Sequence, residues 1–328
     1  MQLNPDKILV IKLRDIGDIV LSTPVLKVLK HNYPKAQLHY LLKNEYSQFA
    51  PLLPGINKVY SYDKKSFTSF FSLIAALRKE KYTLVINLHA TYRSALISLL
   101  SGAKFRLVHN HSGKNYFTSE PLGIKEEVKN IIERDLDTLT PLTLDIPEAL
   151  KTTELIKLPF EEKKFTLKTI GLGVGAKRKT KMWAKKNWVA LGTRLAAEGF
   201  DIAVVCSKNE KTYAEEIALG VGNKAKVYAD LDFSKLASFL SRLRIFIGND
   251  SGVRHMAAAL GVNTVTLFGP EDIKEWHPYK EEAGHSYVFH RMSCINCALE
   301  ICDKPQHYCM DAITVEEVYN KVKQLVKA

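Results

Sequence analysis

Cysteine is scarce in this sequence, with five residues in 328. That is too few for a disulfide scaffold and fits a reducing compartment. No apolar run approaches the roughly 18 residues needed to cross a bilayer. The opening stretch MQLNPDKILVIKLRDIGDIV carries charges where a signal peptide needs an unbroken apolar segment, so export is not expected. Internal repeats and low-complexity tracts are also missing. Hydrophobic residues at 46% and charged residues at 25% are ordinary globular proportions, which exclude disordered, collagen-like and fibrous chains. Acidic residues are outnumbered, 35 against 47 basic, for a net charge of +12. Such a balance points to an anionic partner: a nucleic acid, a lipid head group or a phosphorylated small molecule.

What is present is alternation. Ile8 to Leu13 is a continuous apolar run of the kind a doubly covered parallel strand needs. Helical spacing follows it, with Val25, Leu26 and Leu29 on one face. Strand and helix patterns then alternate to FRLVH. They pause over Asp145–Lys168, a charged segment with two prolines, and resume from TIGLGVG to TVTLFGP. Such βα alternation predicts parallel sheets with helices on both faces. The expected organisation is a Rossmann-like domain over residues 1–150, a connection over 151–167 and a second Rossmann-like domain over 168–313. A closing helix over 314–328 is opened by the capping box Thr314-x-x-Glu317.

Ligands of open α/β sheets bind beyond the carboxyl ends of strands, so three strand-to-helix turns hold the candidate chemistry. Gly248–His255 (GNDSGVRH) can present free N–H groups of a helix start to a diphosphate, or can simply be an Asp or Ser cap followed by an incidental histidine. Gly171–Ala176 precedes six cations within ten residues: Lys177, Arg178, Lys179, Lys181, Lys185 and Lys186. Trp183 and Trp188 are interleaved with or follow them. Most of these cations read as a solvated loop, and GxGxG is a poor dinucleotide fingerprint because the helix does not start promptly. No helix-turn-helix, zinc-finger or RNP pattern supports a nucleic-acid partner. At Gly17-Asp18 an aspartate at a helix start is either an N-cap or a general base placed to take a proton from an attacking hydroxyl. Asp15 reads as loop surface.

LRDIGDIVLSTPVLKVLK, NLHATYRSALISLLSGAKFRLV, KMWAKKNW and above all GNDSGVRHMAAALGVNTVTLFGP resemble glycosyltransferase family 9, the ADP-heptose:lipopolysaccharide heptosyltransferases. The resemblance runs in order over most of the chain. It implies a GT-B architecture, with donor and acceptor meeting in a cleft, and an inverting, metal-independent transfer of heptose from ADP-heptose. By position it makes Asp18 the general base, with Asp250, Ser251, Gly252 and His255 holding the diphosphate. Lys181 would meet a phosphate, Glu210 the adenosine ribose, and Arg93 acidic groups of the acceptor. It further implies a cytoplasmic enzyme held peripherally at the inner membrane by an acidic glycolipid acceptor, with no nucleic acid involved. Val253-Arg254 departs from the proline-containing pair usual after DSG, and the basic loop is longer than typical.

Cys294, Cys297, Cys302 and Cys309 fall within sixteen residues, with His307 nearby. Four thiols at that spacing reach one tetrahedral zinc or an iron–sulfur cluster and equally can remain free, with disulfides set behind both because the compartment is reducing. The resemblance gives them no catalytic role. Cys206 reads as core. Two other classes compete with the transferase: a nucleotide-dependent epimerase or oxidoreductase on twin Rossmann domains, and a non-catalytic basic binding protein.

Overall fold

A computed structural model describes residues 2–64, 66–110, 115–120, 122, 129–159 and 168–327. The chain divides into two compact units, residues 1–156 and 157–328. Part of the expected connection, residues 160–167, lies outside the described residues.

The first unit is built on five parallel strands: β1 (Lys7–Ile11), β2 (Gln37–Lys43), β3 (Lys58–Tyr62), β4 (Leu84–Asn87) and β5 (Phe105–Val108). Their order is β3-β2-β1-β4-β5, with Ile8 opposite both Leu38 and Leu84. β1 and β4 are apolar at almost every position because helices cover both faces, and Leu9, Ile11, Val85 and Ile97 are fully buried in one cluster. Strand order reverses between β1 and β4, so the loops after these two strands flank the crevice where such sheets bind ligands.

The helical pattern after β1 is two helices, Ile16–Leu21 and Thr23–Asn32. Pro24 has no N–H to continue the first ladder. The freed carbonyls are met instead by hydroxyls, Ser22 Oγ to Ile19 O and Thr23 Oγ1 to Val20 O, both at 2.7 Å. Residues 145–156 lie along this unit: Asn32 donates to the Asp145 carbonyl and the Ile156 N–H to the Leu52 carbonyl.

The second unit carries β6 (Thr169–Gly173), β7 (Asp201–Cys206), β8 (Ala225–Ala229), β9 (Ile245–Asn249), β10 (Thr264–Phe268) and β11 (His285–Phe289). All are parallel in the order β11-β10-β9-β6-β7-β8, with the reversal between β6 and β9. β11 has no counterpart in the sequence reading, because His285 and Ser286 interrupt its apolar run. Val318 and Val322 of helix Val315–Lys327 close the core against Ile245 and Val265. Its start is the expected box, with Thr314 Oγ1 donating to Glu317 and accepting from the Glu317 N–H. Among the described residues no helix is long and apolar enough to cross a membrane.

Candidate active site

In the first unit, the residues after β1 and β4 collect the titratable groups. Asp15, not Asp18, is the N-cap of helix Ile16–Leu21, and its carboxylate pairs with Lys43 at 3.0 Å. The expectations for both aspartates therefore change: Asp15 is a helix cap with an ion pair rather than idle surface. Asp18 sits in the first turn, 9% exposed, with Arg14 Nε 4.0 Å from its Oδ1. A carboxylate there faces the positive end of the helix.

Beneath it lies a group the sequence did not announce. Lys12, immediately after β1, donates to both oxygens of Asp135 at 2.8 and 2.7 Å, and each side chain is 3% exposed. Burial pushes the Asp135 carboxyl up to about 6 despite the Lys12 charge, and Asp18 adds to the push. His89, after β4, is driven down to about 3 by burial and then by Arg14, Lys12 and Lys43, so it is neutral at physiological pH. Arg93 stands exposed one residue into helix Tyr92–Leu100.

In the second unit, the ends of β6, β7 and β8 and the start of helix Gly252–Ala259 enclose a pocket of about 380 Å³. Gly175, Ala176, Ser207, Glu210, Tyr228, Ser251 and Val253 are in its wall. Glu210 locks two loops together. One carboxylate oxygen accepts the Ala176 N–H at 3.0 Å, and the other accepts the Ser207 N–H and hydroxyl at 3.0 and 2.6 Å. The first of these oxygens keeps a lone pair for a further donor. A Cβ on Gly175 would stand 2.2 Å from the Glu210 carboxylate. Gly175→Ala is therefore expected to cost about 1–3 kcal/mol through overpacking. It should also weaken any nucleoside held at Glu210, read by denaturant unfolding and nucleoside titration. Cys206, expected in the core, is half-buried: it packs against the core cluster and also lines this wall, and burial raises its thiol to about 11.

Behind the helix start, the six-cation loop separates into two populations. Lys177, Lys179, Lys185 and Lys186 are exposed, whereas Arg178 and Lys181 turn inward. Trp183 and Trp188 are buried edge to face with centroids 5.0 Å apart and serve the core. Asn249 at the end of β9 fixes the loop: its Oδ1 accepts the Trp183 N–H at 3.1 Å and its Nδ2 donates to the Val174 carbonyl at 2.8 Å. Lys181 Nζ then meets Asp250 Oδ2 at 2.8 Å and Glu271 Oε1 at 3.2 Å. Burial lowers the Lys181 ammonium, and Asp250 pulls it back.

Ser251 is the N-cap but makes no side-chain cap bond. Asp250 is engaged on every side. Its N–H donates to the Leu267 carbonyl, Oδ1 accepts two bonds from Arg254 and Oδ2 accepts Lys181. Burial opposes its ionisation, but the Arg254 and Lys181 charges outweigh it and hold the carboxyl well below its usual range. The side chain is thus spent on cations rather than presented to a diphosphate. His255 is also buried, with Nδ1 2.7 Å from the Tyr279 hydroxyl. Burial followed by the Arg254 charge keeps it neutral.

The cysteine segment packs on the same loop. Thr180 donates from Oγ1 to Leu299 O at 2.6 Å and from its N–H to Glu300 O, and its carbonyl lies 2.7 Å from His307 Nε2. Cys294, Cys297, Cys302 and Cys309 line one small cavity of about 20 Å³ and their thiols are free. Burial raises Cys309 to about 11, with Cys294 and Cys302 adding to the shift. Among the described residues, no three His, Cys, Asp or Glu side chains are grouped to hold a metal ion. The cysteines as placed do not form a coordination sphere.

The family model for glycosyltransferase family 9 (heptosyltransferase) matches residues 70–304. The chain belongs to this family. As a family 9 glycosyltransferase it is 28% identical over 288 residues to lipopolysaccharide heptosyltransferase 3 of Escherichia coli, covering 80% of this chain and 83% of that one. Among solved structures it is similar to the family 9 glycosyltransferase of Veillonella parvula, with a TM-score of 0.83, 20% identity and coverage of 100% and 99%. It is also similar to E. coli ADP-heptose lps heptosyltransferase II, with a TM-score of 0.81, 18% identity and 98% coverage of each. These likenesses make the family 9 fold, two Rossmann-like sheets of the GT-B type, common to all three. Lys12, His89, Asp135, Glu271 and Tyr279 are residues around the candidate site that sequence reasoning missed, and Arg254 was noted only as a departure from the family pattern. Lys12 had a signal, as a charge ending an apolar strand, whereas Asp135 sits in an ordinary-looking polar helix.

Proposed function

We propose that this enzyme transfers heptose, with inversion, from ADP-heptose to the inner core of lipopolysaccharide, a phosphorylated glycolipid at the cytoplasmic face of the inner membrane. The observation that carries the reading is the helix start at Ser251–Val253 in the wall of a nucleotide-sized pocket, with Lys181 anchored beside the preceding Asp250. The similar E. coli structure is described as an ADP-heptose enzyme, which agrees in donor class.

In this reading the acceptor oxygen attacks the anomeric carbon while ADP leaves from the opposite face. Asp18 takes the acceptor proton. The free amides of the helix start at Gly252, with Lys181 and His255, stabilise the charge that grows on the diphosphate, by preorganised electrostatics. Glu210 takes a ribose hydroxyl on its remaining lone pair. Asp250 acts indirectly, by orienting Lys181. Arg93 contacts acidic groups of the acceptor, and the cationic surface draws the enzyme to the anionic leaflet. The units 1–150 and 168–313 serve acceptor and donor respectively.

A thermal-shift panel with ADP, UDP, GDP and NAD tests the donor class. ADP at a hundred times its Kd is expected to add about 2.7 kcal/mol of stability. Preference for UDP or NAD would redirect the reading to another nucleotide-dependent class.

A further inference from the structure

Arg254 occupies a position where this chain departs from the pattern usual after DSG, and its surroundings are unusual for an arginine. It is 1% exposed, three residues into the helix that begins at Gly252. Its Nε and Nη2 donate to Asp250 Oδ1 at 3.0 and 2.7 Å, and Nη2 donates again to the Trp276 carbonyl at 2.7 Å. The guanidinium lies 4.9 Å from the Phe268 ring centroid and 6.0 Å from that of Tyr279. Burying a cation this completely is costly unless it is paired and its donors are satisfied.

The charge pattern around Lys181 gives that arginine a purpose. Lys181 touches two carboxylates, and each is also held by an arginine, Asp250 by Arg254 and Glu271 by Arg178. Three cations therefore face two carboxylates in a largely buried cluster. A lone Lys–Asp pair would neutralise itself and leave little field for an anion. Here Asp250 gives Oδ1 to Arg254 and only Oδ2 to Lys181. The lysine is oriented by carboxylates whose charge is already met, and it retains one of its three donors and its own charge.

We propose that Arg254 is a positioning residue for phosphate recognition: by taking the charge of Asp250, it lets that carboxylate aim Lys181 without cancelling it. Arg254 touches no ligand in this account and acts through Lys181. The inference rests on the reading that Lys181 meets a phosphate of the donor.

The test is calorimetric titration of the full chain with ADP and with adenosine, which lacks the phosphates. Lys181→Met and Arg254→Met are each expected to raise the ADP Kd roughly tenfold, the worth of a charge-assisted hydrogen bond, and adenosine's by less than about twofold. The double variant should bind ADP no more weakly than Lys181→Met alone, because the two residues act on one contact. Should Arg254→Met fail to fold, Arg254→Lys keeps a cation without the two-bond grip on Asp250 and is expected to lose part of the ADP preference. If Lys181→Met weakens ADP while both Arg254 variants keep the ADP-to-adenosine ratio of the parent, Arg254 is packing only and the proposal is overturned. Additive losses in the double variant overturn it too, since Arg254 would then act independently. If Lys181→Met leaves ADP binding intact, the phosphate role of Lys181 falls first and this inference falls with it.

Discussion

Asp18→Asn is expected to lower heptose transfer by roughly 10²- to 10⁴-fold, the usual contribution of a positioned general base. ADP binding should remain, because the nucleotide pocket is built from residues of the other unit. The substitution keeps the size of the side chain in the first helical turn, so the effect is one of proton acceptance rather than packing. A carboxylate is a weak base toward an alcohol. On the proposed mechanism proton transfer would come late, after bond formation to the anomeric carbon has made the attacking oxygen acidic, and an amide could not perform it. The measurement is a single-turnover assay with ADP-heptose beside an ADP thermal shift on the same protein. Transfer within a few-fold of the parent would remove Asp18 from the chemistry. Loss of the ADP shift as well would mean that the fold, not the base, had been damaged.

Periodicity made the fold legible because both sheets are covered on two faces. β1, β4, β6 and β9 are buried at nearly every position, so their residues carry a continuous apolar signal. β11 was missed because it begins His285-Ser286, and helix Ile131–Asp137 because its polar residues look like a solvated face. The candidate site divides in the same way. Ser251 and Gly252 lie in a turn whose local pattern survives in one dimension, and Glu210 was reached only through the family resemblance. The partners that decide what those residues do come from remote segments: Trp183 to Asn249, Glu271 to Lys181, Tyr279 to His255 and Asp135 to Lys12. Asp250 shows the consequence. From sequence it resembled a phosphate ligand, and only the three-dimensional placement of Arg254 and Lys181 reveals a carboxylate committed to cations.

Removing the ammonium of Lys12 is expected to destabilise the first unit strongly. Asp135 is fully enclosed, and loss of one member of a buried pair costs about 3–5 kcal/mol because the other charge is left without a partner. The pH dependence follows from Asp135, whose folded value near 6 lies above the ordinary 3.8 because burial penalises its charge. A carboxyl raised on folding binds more protons in the native state than in the unfolded one. Its contribution is therefore full below about pH 4 and declines as pH climbs towards 6. Without Lys12 the carboxyl rises further, and the loss extends to higher pH. In urea unfolding Lys12→Met should be far less stable than the parent at pH 8 and recover part of the difference at pH 5, where Asp135 is protonated. Lys12→Met/Asp135→Leu should regain most of it at both, since an apolar pair of similar volume needs no counter-charge. An equal loss at pH 5 and pH 8 would show that the lysine acts by packing its methylenes and not by balancing Asp135.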